Sequence, residues 1–167
     1  MTISVAPPLT SAPPQFDLEP QAHVIASDAE AIEIAKTLAA EFSAEAALRD
    51  RDRILPAAEL DRFSKSGLWG ITIPRAYGGA GVSWVTLTEV IKLISAADPS
   101  IGQIPQSHLA AVDVIRATAS EEQKKLWFGR VLSGYRLGNA FSEAKSKHVG
   151  AFETTLTPDG DGYQIGR

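Results

Sequence analysis

Apolar positions along the chain change period near residue 135. Before that point they recur every three to four residues, the spacing that puts them on one face of a helix. Ala35, Leu38, Ala39 and Phe42 keep this spacing behind Ser27 and Glu30, which stand at capping-box distance, and predict a helix over 28–47. The charged run RDRDR at 49–53 is expected to end it and to be solvated. Pro56 suits the first turn of a second helix (AAELDRFSKS), which Gly67 stops, with Leu60 and Phe63 facing inward. Ser83 caps a third, carrying Leu87, Val90, Ile91 and Ile94, and Asp98-Pro99-Ser100 closes it. A fourth runs to about 118, with Pro105 tolerable only near its start. Ser120 and Gln123 form a capping box for a fifth (EEQKKLWFGRVL), which ends at Gly134. Beyond it YRLGNAFS, AFETTLTP and GYQIGR are short and strand-like, and PDGDG between the last two is hairpin chemistry. The fold class expected is therefore mainly α: a helical domain of about five helices over 23–135, followed by an incomplete β-domain over 136–167.

Composition narrows the partners more than the chemistry. Five of the first 20 residues are proline, so 1–22 is expected to be a disordered tail, since proline fixes φ and lacks the N–H. That stretch also lacks the basic start and continuous apolar core of a secretory signal. A formal net charge of −4 over 167 residues argues against coating nucleic acid or an anionic membrane. No apolar run reaches the ~18–20 residues that span a bilayer. The absence of cysteine removes disulfides, thiolate metal sites and cysteine nucleophiles, and accords with a cytoplasmic location.

Few residues are candidates for chemistry. The glycine-rich stretch IPRAYGGAG (73–81) would need glycine at position 84 to complete G-x-G-x-x-G, and Trp84 stands there. It reads instead as a tight turn between packed elements. Trp69, Trp84 and Trp127 are simplest as core or helix–helix anchors. Of three histidines, His23 adjoins the tail. His108 shares a helical face with Ile104, Ala111, Val112 and Ile115, so it is either a satisfied core residue or a catalytic group turned into a cleft. Lys147 and His148, with Lys145, Ser142 and Ser146, form a compact group of donors in the loop SEAKSKHVG. That group either receives a phosphate or is a solvated basic patch. No metal-ligand spacing occurs.

The order of these pieces carries more than any one of them. GLWGITIPRAYGGAGVS, a helix ending in AADPS, and then SEEQKKLWFGRVLSGYRLGNAFSE together resemble the acyl-CoA dehydrogenase superfamily over residues 25–167. The resemblance implies a flavoenzyme built from an N-terminal helical domain, a middle β-barrel domain and C-terminal helices, usually a homotetramer. It assigns the strand through Asn139, Phe141 and Ser142 to the flavin edge. Where the dehydrogenases carry Thr-Glu-Pro-x-x-Gly-Ser-Asp, this chain has Ser142-Glu143-Ala144-Lys145-Ser146-Lys147-His148-Val149. The NAFSE form is more similar to the organosulfur monooxygenases of the dibenzothiophene desulfurisation and sulfur-acquisition type. Those use reduced FMN from a separate flavin reductase together with O2. The resemblance thus implies FMN, a small-molecule substrate and the reductase as partner. It makes this chain an expected N-terminal fragment, inactive alone, whose main catalytic residues lie beyond Arg167. The alternatives are an FAD-dependent acyl-CoA dehydrogenase and a non-catalytic helical interaction module.

Overall fold

The computed structural model describes residues 22–139, 142–143, 147–148, 150–160 and 162–166. They fall into two compact units, one ending at Asn139 and one beginning after it. The expected proline-rich tail lies outside the described residues but for Ala22.

The first unit is helical. In chain order it contains α1 (Asp28–Ser43), α2 (Ala46–Asp52), α3 (Ala57–Lys65), α4 (Trp84–Ala97), α5 (Pro99–Gln103), α6 (Pro105–Thr118) and α7 (Glu121–Leu132). Single 3-10 turns at Leu68–Gly70 and Arg75–Tyr77 lie between α3 and α4. The five long segments foreseen from periodicity are present, and α2 and α5 are short additions. Local chemistry opens the helices as expected. The Ser27 hydroxyl accepts the Glu30 N–H at 3.2 Å, and the Ser83 hydroxyl accepts that of Thr86 at 3.2 Å. Ser120 and Gln123 complete a reciprocal box at 3.2 and 2.9 Å. At α1 the box is half made, because Glu30 turns back to the Ala26 N–H and to His23 instead.

The apolar faces meet in one core. α1 lies along α4, while α6 and α7 pack on the turn at 68–70. Phe42, Phe63, Trp69, Ile73, Ile94 and Phe128 are among its largest members and are buried. Trp69 is an anchor of this core, packed on Phe63 with ring centroids 4.4 Å apart. Trp84 is not, being 62% exposed at the start of α4.

The expectations for 44–53 need correcting. The first helix stops at Ser43 and restarts at Ala46, and Arg49 in the supposedly solvated run is buried. Its guanidinium donates to Asp98 at 2.8 and 3.2 Å, to Glu59 at 3.0 Å and to the Phe42 carbonyl. That carbonyl belongs to the last turn of α1, where no further helical N–H is available to it. Asp98 divides its carboxylate. Oδ2 takes Arg49, and Oδ1 accepts the Ser100 and Ile101 N–H groups at the start of α5 (2.9 and 3.1 Å).

The glycine-rich stretch is a closed turn. The Gly81 N–H returns to the Ile73 carbonyl at 2.9 Å, the Val82 N–H to Ile71 at 2.9 Å, and the Arg75 side chain spans to the Ala80 carbonyl at 3.1 Å. Gly78 sits at φ 88°, and a Cβ on Gly79 would overlap the Ile73 carbonyl oxygen. Its backbone donors close the loop on itself.

The second unit contains an antiparallel hairpin, β1 (Thr155–Asp159) and β2 (Gly162–Gly166), in register from Thr155 opposite Gly166 to Asp159 opposite Gly162. The two-residue connection foreseen in PDGDG starts at Gly160 with φ 57°. Leu156, Tyr163 and Ile165 on it are exposed. The Glu143 carboxylate holds the approach to β1, accepting the Glu153 and Thr154 N–H groups at 2.9 and 2.8 Å. The described residues 135–139 and 142–143 join no strand, a difference from the strand read in YRLGNAFS.

Candidate functional site

His108 is fixed by α6 and almost wholly buried. Its Nδ1 accepts the Leu137 N–H at 2.9 Å, so the ring proton belongs on Nε2, which donates to the Trp69 carbonyl at 3.0 Å. The Trp69 ring meets the imidazole edge-on, centroids 4.7 Å apart. Burial holds the imidazole below the ordinary histidine range, partly offset by the bond to Trp69. Both ring nitrogens therefore serve the backbone, and the neutral ring ties two distant stretches together.

One of those stretches is the candidate flavin segment. Two residues past Leu137, the Asn139 amide donates to the hydroxyl of Ser107, the neighbour of His108 on α6. Sequence reasoning singled out Asn139 but missed Ser107, because a lone serine inside a helix carries no signal of its own. The Ser142 side chain is exposed, as are Lys147 and His148. Phe141, with Lys145 and Ser146, lies outside the described residues.

An amide side chain carries two N–H donors and an oxygen acceptor, and at Asn139 the Ser107 hydroxyl takes one of those donors. Two surface clefts of the helical unit, of about 320 and 580 Å³, are lined by neither His108 nor Asn139. Among the described residues no group of three metal-ligating side chains occurs, and no helix is long and apolar enough to cross a membrane.

Helical packing around the 68–82 turn, followed by a donor-bearing segment and a hairpin, defines a class of protein. Residues 28–135 match the acyl-CoA dehydrogenase N-terminal domain, and the chain belongs to that family. Within it, the chain is 35% identical over 141 residues to dibenzothiophene monooxygenase of Rhodococcus qingshengii, covering 84% of this chain and 34% of the relative. It is 34% identical over 120 residues to a probable FMNH2-dependent monooxygenase, SfnC, of Pseudomonas putida, covering 71% of this chain and 30% of the relative. The crystal structure of FMN-bound TdsC from Paenibacillus sp. A11-2 superposes with a TM-score of 0.72 at 37% identity, over 81% of this chain and 34% of that one. The chain thus spans about a third of the length of these relatives.

Proposed function

We propose that these residues form the N-terminal part of a flavin-dependent monooxygenase that uses reduced FMN and O2 to oxidise a small organosulfur compound. The observation that carries this reading is the likeness, at 37% identity over 81% of this chain, to a chain crystallised with FMN. When bound, reduced FMN supplies the two electrons that let one atom of O2 pass to the substrate and the other leave as water.

This chain's residues would hold and orient the cofactor. Asn139, Phe141 and Ser142 would line the pyrimidine edge, with the Asn139 amide and the Ser142 hydroxyl as its polar contacts. Lys147 and His148, both exposed, would meet an anionic group such as the FMN phosphate or an acidic substrate. A buried, neutral His108 acts on the chemistry through what it positions. A flavin reductase is the expected partner, and the complete protein is expected to be a cytoplasmic homo-oligomer, a homotetramer by family habit.

The replacement of the dehydrogenases' Gly-Ser-Asp by Lys147-His148-Val149 favours FMN and oxygenation over FAD and acyl-CoA oxidation. A full-length flavoprotein carrying these residues decides between them. Mixed with acyl-CoA without O2, its oxidised flavin should keep its absorbance near 450 nm (roughly the flavin visible band). Bleaching would overturn the monooxygenase reading in favour of a dehydrogenase. Ser142→Ala should weaken FMN retention about three- to tenfold, the worth of one hydrogen bond. Unchanged retention would remove Ser142 from the site.

A further inference from the structure

We propose that Ser107 and His108, neighbours on α6, are positioning residues that fasten the segment 137–139 at two points and so fix how Asn139 is presented to the flavin. The inference rests on the flavoprotein reading above for its ligand, while the fastening itself rests on geometry alone.

The two anchors differ in kind. His108 takes the Leu137 backbone N–H at 2.9 Å from within the core. Ser107, half-buried at the rim, takes the side chain of Asn139. One anchor would leave the segment free to swivel, and two anchors two residues apart remove that rotation. The cost falls in folding, ahead of ligand binding, which is how preorganised donors gain their advantage. Ser107 uses one N–H of the Asn139 amide. That amide has a second N–H and an oxygen, the donor and acceptor that a flavin N3–H and adjacent carbonyl require. His108 can serve as acceptor toward Leu137 because its other nitrogen gives its proton to Trp69, whose ring is buried between Phe63 and the imidazole.

Amide exchange and FMN binding test this together. His108→Asn keeps an acceptor near the Nδ1 position, and His108→Gln withdraws it while still reaching toward Trp69. In the 167-residue chain, the Leu137 amide should exchange about tenfold faster in the Gln variant than in wild type, with the Asn variant between them. Ser107→Ala should release the Asn139 side-chain amide with the melting temperature unchanged. In the full-length flavoprotein the same Ser107→Ala change should weaken FMN binding about three- to tenfold and alter the bound-flavin spectrum. Equal Leu137 exchange in all three proteins, or an unchanged Asn139 amide in Ser107→Ala, would overturn the fastening. Unchanged FMN affinity and spectrum with a released Asn139 would overturn its consequence for the flavin. A wild-type protein that binds no FMN would instead defeat the flavoprotein reading, and the exchange rates would still decide the fastening.

Discussion

His108 shows how a titratable side chain can be made into a structural one. Its imidazole is neutral because burial opposes the charge and because the Leu137 N–H points at Nδ1. Adding a proton there would set two donors against each other. The folded-state pKa lies below that of the unfolded chain, about 6.5. Between those two values the unfolded state binds more protons, so stability falls as pH drops below about 6.5 and is complete above it. Urea melts of wild type and His108→Asn at pH 7.5 and 5.5 should show wild type losing more stability on acidification. An equal loss in both would place His108 at its ordinary pKa. The carboxylates held below their ordinary range by hydrogen bonds, Asp28, Glu30, Asp52 and Glu121, act at more acid pH with the same sign, their stabilisation being lost as pH falls.

Among the elements, the junction of α1, α2 and α5 departs most from what the sequence alone suggests. Arg49 joins Glu59, Asp98 and the end of α1 in one buried cluster. Removing it would leave Asp98 buried without its cation, a loss that costs about 3–5 kcal/mol. Arg49→Ala should lower the unfolding free energy by that amount in a urea melt. A loss under about 1 kcal/mol would mean that the run at 49–53 is solvated after all. The contrast with the caps is instructive. Ser27, Ser83 and Ser120 were legible because each partner lies three residues away, and helix faces were legible because period is local. Arg49 reads as one of five alternating charges, and its partners sit 10 and 49 residues along the chain. His108 could be placed on an apolar face by spacing, yet both its partners are backbone groups of distant residues, which no side-chain pattern reports. Ser107 was illegible because a lone serine inside a helix carries no signal of its own, and of the strand expected at 135–142 the described residues 137–139 are held by α6 without joining a strand.

Across the whole molecule, the two units differ in how much apolar surface their described residues enclose. The first has a continuous core, whereas the hairpin leaves Leu156, Tyr163 and Ile165 in solvent. Two strands make a marginal sheet, and relatives three times as long have further chain with which to build one. The proposed function belongs to a flavoprotein of the relatives' length, in which these residues would contribute a cofactor-edge segment and the helix that holds it. The measurement that bears most directly on this is isotope transfer. The full-length protein, supplied with FMN, a flavin reductase, NADH and dibenzothiophene under 18O2, should yield sulfoxide or sulfone whose added oxygen carries the label. It should do so only while FMN is being reduced. Unlabelled product, or no oxidised product while the protein binds and oxidises an acyl-CoA, would contradict the monooxygenase assignment.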